Sequence, residues 1–272
     1  MSILERISDF NYLYFGFDPS KEDAENIWHA TPCLCGSHDG VAWEFIAYLN
    51  DLGNLRDGNI TKINNDYYLL GTLDLYKTSN FIDFEKINID LLRNDDYTDI
   101  WAPELFKDLN GQYHIVYSAK KNETLGIYMA EFDPEGDVLS NPFTKLAIDP
   151  SGHIDPTINV VNNTYYMQLA SSRKLQIFSA KKLTDIWSRV SANPRVGTAS
   201  WYEAPQWLVK DDQVMMFQDR ILKYIPSVDD SGFMVYQTAK ISDLTNWSKE
   251  KMVLCSMNMR HGSFMKVEDD HI

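Results

Sequence analysis

The sequence predicts an all-β fold, a five-bladed β-propeller formed as one domain by residues 1–272. Three observations carry this expectation: short segments of period two, a four-stranded unit that recurs, and a fifth unit divided between the two ends of the chain. Runs rich in Tyr, Val, Ile and Phe alternate and are separated by Asn, Asp and Gly, and no long stretch keeps a helical period.

The repeat is visible when four segments are aligned: RDGNITKINNDYYLLGT from Arg56, WAPELFKDLNGQYHIVYSA from Trp101, IDPTINVVNNTYYMQLA from Ile154 and YEAPQWLVKDDQVMMFQD from Tyr202. Each holds an acidic residue, an apolar strand, a polar turn and a second strand with aromatics or Met. A weaker third strand follows in each (LDLYKTSNF, GIYMAEF, LQIFSAKKL, FMVYQTAKI), then in several a closing piece such as FEKI, WSRV or WSKEKM. Starts about 50 residues apart match propeller blades. A fifth copy opens at RHGSFMKVEDDHI and stops after one strand, whereas NYLYFGF, NIWHATP and WEFIAYL near the N-terminus read as the strands it lacks. The two ends are therefore expected to share a blade, which closes the ring and removes free sheet edges. The rival arrangement is a separate N-terminal subdomain.

Composition narrows the partners. At 44% hydrophobic and 13% aromatic, the chain has ample material for a packed core. The formal charge of −14 repels nucleic acid and anionic membranes, so neither is expected as a partner, and a neutral ligand is. No apolar run approaches the ~18 residues of a membrane span. The opening MSILERISDFNYLYFGF is interrupted by Glu5, Arg6 and Asp9, which reads as no signal peptide and hence a cytoplasmic location. Cys33, Cys35 and Cys255 are odd in number and form a poor disulfide framework, so reduced thiols are expected.

Within the repeat, Asp57, Glu104, Asp155 and Glu203 stand near the starts of successive first strands, which line the channel of a propeller. Carboxylates that converge on one pocket repel one another and lose water, which raises some of their pKa values. A single Asp before Pro is an ordinary turn cap; several acids in series point to function. Carboxylates paired across a pocket suit glycoside hydrolysis, where one protonates the leaving oxygen and the other activates water or attacks carbon.

The ordered motifs RDG, WAPE, IDP, YEAP and RHGS resemble those of the five-bladed propeller enzymes of glycoside hydrolase family 43, which includes arabinanases, α-L-arabinofuranosidases and β-xylosidases. The resemblance runs from Arg56 onward. It implies Asp57 as catalytic base, Asp155 as the residue that tunes the acid, and Glu203 as general acid. It also implies that His261 lies in the channel near calcium or another cation, although no cofactor is required for the reaction. RDG departs from the usual Asp-Pro at the base, and Arg260 replaces a usual Gly before His261. Trp101 and Trp201 are candidates for stacking on a sugar, Glu104 for contact with substrate, and Arg220 for a sugar hydroxyl or a neighbouring acid. Blade packing is expected for Trp187 and Trp247.

The expected activity is inverting hydrolysis of a short oligosaccharide by an exo-acting α-L-arabinofuranosidase or β-D-xylosidase, with the two carboxyls roughly 6.5–9.5 Å apart. An endo-arabinanase, a retaining β-fructosidase-like enzyme and a propeller that only binds carbohydrate are the alternatives.

Overall fold

The computed structural model describes residues 1–21, 30–53, 55–72, 74–92, 96–149, 152–171, 174–192, 201–221 and 232–267. Its strands form five sheets arranged as propeller blades. Blade 1 comprises Asn59–Ile63, Asp66–Gly71, Asp74–Thr78 and Glu85–Ile87; blade 2 comprises Tyr97–Lys107, Tyr113–Lys121, Thr124–Asp133 and Val138–Lys145. Blade 3 holds Ile154–Val161, Thr164–Ser171, Lys174–Ala180 and Ser188–Ala192, and blade 4 holds Trp201–Lys210, Gln213–Ile221, Gly232–Lys240 and Lys251–Met252. In each of these, strands follow one another in antiparallel order.

Blade 5 is the shared one. Its first strand is the C-terminal Arg260–Lys266, which pairs antiparallel with Tyr12–Asp18, and Thr31–Ser37 and Ala42–Tyr48 follow outward. Leu254–Cys255 adds a short parallel edge against Ala42 and Trp43. The ends of the chain thus close the ring as expected. One strand is displaced: NIWHATP was the expected second N-terminal strand, but the strand in this place begins at Thr31, and part of that segment lies outside the described residues.

Five hydrophobic cores, one between each pair of neighbouring blades, hold the sheets together. Strand alternation explains the arrangement, because successive side chains point to opposite faces and both faces of a blade are covered. Leu13 and Phe15 enter the core shared with blade 1, while Tyr12 and Tyr14 enter the core shared with blade 4. Every residue of Tyr12–Asp18 is buried, so this strand reads as an unbroken apolar run rather than an alternating one. Trp187 is buried in the core between blades 2 and 3 and Trp247 packs on Trp207, which places both in blade packing.

The first strand of every blade carries a β-bulge at or near its start, and that of blade 2 has an additional one at Asp99–Ile100. Ile154 pairs with Ala170 and Thr157 with Gln168, so Asp155 and Pro156 together oppose one residue, Leu169. The same two-against-one step occurs at Ala102–Pro103, Ala204–Pro205 and His261–Gly262. In blade 1, Thr72 N–H donates to Arg56 O at 3.0 Å while Asn59 pairs with Leu70, which leaves Asp57 and Gly58 opposite Gly71. The first bulge residue is left-handed in all five: φ is 57° at Asp57, 46° at Ala102, 54° at Asp155, 50° at Ala204 and 40° at His261. Left-handed non-glycine residues are uncommon and strained, and bulges re-aim the side chains beside them. Five such steps at one end of a channel mark that end as the working one.

The second bulge residue is Pro in blades 2, 3 and 4 and Gly in blades 1 and 5. The seam between the first and last inner strands explains the change. Gly58 N–H donates to His261 O at 3.2 Å, a bond that Pro could not make. A Cβ on Gly262 would lie 2.3 Å from Phe15 O and 2.6 Å from Gly16 Cα, and one on Gly58 would lie 3.0 Å from the Phe15 ring. RDG therefore departs from Asp-Pro for a packing reason, and Asp57 keeps the conformation of Asp155.

Two outcomes follow for folding. Gly262→Ala should destabilise the protein by about 1–3 kcal/mol in denaturant melts, because backbone rather than a flexible side chain fills the space. Deletion of residues 1–50 should abolish the cooperative melt; a truncated protein that still melts sharply would show that the last inner strand does not need Tyr12–Asp18.

Candidate active site

The bulges bring together residues from four blades. Asp57 and Asp155 are structurally equivalent, and Ala102, Ala204 and His261 occupy the same place in the other three blades. Glu203 stands immediately before its bulge and Glu104 immediately after its own. This corrects the sequence alignment, which set the four acids in one ring. The backbone step before Pro or Gly is the repeated feature, and the acids hang from different points of it.

Asp57 is 8% exposed and Asp155 6%. Asp57 Oδ1 accepts a hydrogen bond from His261 Nδ1 at 3.0 Å, and its Oδ2 accepts one from Thr72 Oγ1 at 2.8 Å. Burial by itself would raise the Asp57 pKa, but the His261 imidazolium, its hydrogen bond, Arg56 and Thr72 outweigh it and hold the carboxyl well below the usual range. For His261, burial works against the charge, yet Asp57 and Asp155, with Asp219, lift the ring to about 10. Asp57 is thus an anion and His261 a cation throughout the neutral range.

Asp155 and Glu203 move the other way. Burial is the main cause at Asp155, opposed by His261 and by the Ala204 N–H, which donates to Asp155 Oδ2 at 3.1 Å. That bond ties Asp155 to the residue next to Glu203. Glu203 is pushed up to about 7, first by burial and then by Asp155, with His261 and Arg260 in opposition. Two carboxyls of one site, Asp57 and Glu203, are therefore driven apart: one ionised, one holding its proton into the neutral range. This is the arrangement that acid and base roles require.

Glu104 belongs to a second ring, below the bulges. Asn59, Glu104, Thr157, Gln206 and Ser263 stand two residues past the left-handed position in their respective blades and line a cavity of about 330 Å³ in the channel. Gln206 Nε2 and Thr157 donate to the Glu104 carboxyl, and burial outweighs them to raise it to about 8. Glu104 thus lines the cavity under the mouth and is bound there to protein groups.

The remaining expectations divide. Trp101 is half-buried immediately before its bulge, equivalent to Glu203, with Lys120 Nζ 5.6 Å from its ring centre. The backbone of Trp201 begins the inner strand of blade 4, and its side chain lies outside the described residues. Arg220 is held by Glu250, with Nη1 and Oε1 2.6 Å apart, and Tyr202 Oη donates to the other oxygen of Glu250 at 2.8 Å. Arg220 is paired with Tyr202 in the ladder and Asp219 with Glu203, so it points to the opposite sheet face from Asp219. Its partner is Glu250 rather than a group of the site.

The cation implied beside His261 finds no support in the side chains. Among the described residues no group of three or more His, Cys, Asp or Glu is placed to hold a metal ion.

Two residues to which the sequence reading gave no role in the site stand beside Glu203. Asp219 is fully buried on the second strand of blade 4, directly opposite Glu203, and Arg260 forms an ion pair with it. A signal existed in the second strands: the positions equivalent to Asp219 are Thr72, Ser118, Ala170 and Phe17, none of them charged.

The ion pair makes a sharp prediction. A histidine normally titrates near pH 6.5, but the ring resonances of His261 should stay fixed between about pH 5 and 8 in NMR spectra. Because the folded value is raised, the stability contributed by His261 is complete below about pH 6.5 and disappears as pH rises through about 10. Asp57→Asn should bring its titration back into the neutral window; an unchanged spectrum would mean that the pair does not form.

No family model and no curated protein matches the chain. Solved structures do resemble it in fold. An α-L-arabinofuranosidase from Lactobacillus brevis aligns with TM-score 0.60 at 18% identity, over 79% of this chain and 80% of that one. An α-L-arabinanase from Cellvibrio cellulosa, complexed with arabinohexaose, aligns with TM-score 0.60 at 10% identity, over 88% and 92%. An endo-1,4-β-xylanase from Bacteroides thetaiotaomicron aligns with TM-score 0.61 at 10% identity, over 92% and 93%. At these identities the likeness is one of architecture: the chain shares the five-bladed propeller of these proteins.

Proposed function

We propose that the protein is a glycoside hydrolase of the family-43 type that cleaves short neutral oligosaccharides with inversion. The observation that carries this reading is the contrast between two carboxyls at one end of the channel: His261 and Thr72 bond Asp57 and favour its anion, whereas burial and Asp155 push Glu203 up to about 7. Asp57 takes a proton from the attacking water as that water adds to the anomeric carbon. Glu203 gives its proton to the departing sugar oxygen. Asp155 binds the Ala204 N–H beside Glu203 and raises the Glu203 pKa, and so keeps the acid charged with its proton.

For the substrate, an exo-acting α-L-arabinofuranosidase or β-D-xylosidase acting in the cytoplasm is the reading we favour. The names of the structural neighbours, an arabinofuranosidase, an arabinanase and a xylanase, support pentose-containing substrates, and the acidic composition supports a neutral one.

Glu203→Gln keeps the shape and removes the transferable proton. On an unactivated disaccharide, kcat should fall by about 10²–10⁴-fold, and by much less on aryl glycosides whose leaving groups need little protonation. In the wild type, kcat/KM should decline as pH rises through about 7, since the acid must be protonated. Equal rates for Glu203→Gln and wild type on the disaccharide would remove Glu203 from the role. A panel of nitrophenyl glycosides and of arabino- and xylo-oligosaccharides identifies the sugar.

A further inference from the structure

We infer that Asp219 and Arg260 form a buried positioning pair whose opposed charges set the protonation of Glu203 and whose hydrogen bonds fix the partner of Asp57. The inference rests on Glu203 acting as the general acid.

Geometry places this pair between the two arms of the site. Asp219 is directly opposite Glu203 in the blade 4 ladder. Its Oδ2 lies 3.2 Å from Arg260 Nε, with the Arg260 side chain 4% exposed and that of Asp219 1%. Both Asp219 oxygens also accept the backbone N–H of His261, at 3.2 and 3.1 Å. That N–H belongs to the left-handed residue whose ring holds Asp57 at 3.0 Å. A single buried carboxylate thus stands beside the acid and pins the backbone of the histidine that holds the base. Tyr14 Oη donates to Arg260 O at 2.9 Å, which anchors the other side of the pair to blade 5.

The charges around Glu203 come from three blades: Asp155 from blade 3, Asp219 across its own sheet, and Arg260 and His261 from blade 5. Asp219 in turn faces Arg260 and His261, with Asp155 and the Tyr14 phenol near enough to feel its charge. Asp219 favours the protonated acid and Arg260 disfavours it, so the two charges of the pair act on Glu203 in opposite directions. The replacement of a small residue by Arg260 before His261 then has a purpose: it neutralises an aspartate that the other blades lack.

The test reads the alkaline limb of kcat/KM with an unactivated disaccharide. Asp219→Asn leaves the Arg260 cation uncompensated, which lowers the Glu203 pKa, and the limb should move to lower pH by about one unit. Arg260→Gln leaves the Asp219 charge uncompensated, and the limb should move to higher pH by a similar amount. The double variant should return it to near the wild-type position. A purely structural pair would lower the melting temperature without opposed shifts, so two shifts of one sign, or none, would overturn the inference.

If Asp219→Asn fails to fold, Arg260→Gln and the double variant carry the comparison. Titration of ¹³C-glutamate-labelled protein, with the Glu203 resonance assigned by its loss in Glu203→Gln, reads the same shifts without turnover. The two readings fail separately. A limb that survives in Glu203→Gln refutes the acid assignment. A limb that vanishes there but ignores both charge variants refutes the pair alone.

Discussion

The closure of the ring at one seam is the constraint on which the remainder of the molecule depends. Inner strand Arg260–Lys266 must lie between Tyr12–Asp18 of its own sheet and the first strand of blade 1, with Gly58 bridging Gly262. The backbones approach so closely there that a Cβ at Gly262 would meet Phe15 O at 2.3 Å. Since Asp57 precedes Gly58 and His261 precedes Gly262, the same approach that shuts the ring also brings a carboxylate to an imidazolium. Fold closure and site assembly are one event. Interblade cores make it worthwhile: each of the five is completed only by the neighbouring sheet, so an open ring would leave two apolar faces in water.

The repeated bulge converts this architecture into a site. A regular strand would send alternate side chains into the cores on either side. A left-handed residue near the head of each first strand breaks that alternation and re-aims what stands there. The device is fivefold, but the side chains hung on it are Asp, Ala, Asp, Ala and His. Identical backbones with different side chains yield an asymmetric cluster in which burial raises Asp155, Glu203, Asp219 and Glu104, and His261 with Arg56 lowers Asp57. Burial penalises every charge, and in this cluster the neighbouring cations and hydrogen bonds outweigh it at Asp57. Asp57, with both oxygens bonded, is the one rescued most fully.

The sequence by itself determined the blade count and the sharing of one blade by both termini, and it put forward Asp57, Asp155 and Glu203 as candidates for the site. Blades are local antiparallel units whose turns and apolar runs are contiguous, so their period survives in one dimension. The step before Pro or Gly was also written there, as DG, AP, DP, AP and HG, although an alignment on acidic residues passed over it. What only the tertiary structure decided concerns partners far apart in the chain. Asp57 meets His261, Glu203 faces Asp219, and Asp219 meets Arg260, while Arg220 turns to Glu250 because its ladder position points it to the other sheet face. The effect of His261 illustrates the difference. A motif can place a histidine near a channel, but whether it is a neutral ligand or a cation depends on which carboxylates surround it, and those arrive from three other blades. Charge state is a property of the neighbourhood, and in a closed ring the neighbourhood exists only after the last strand has docked.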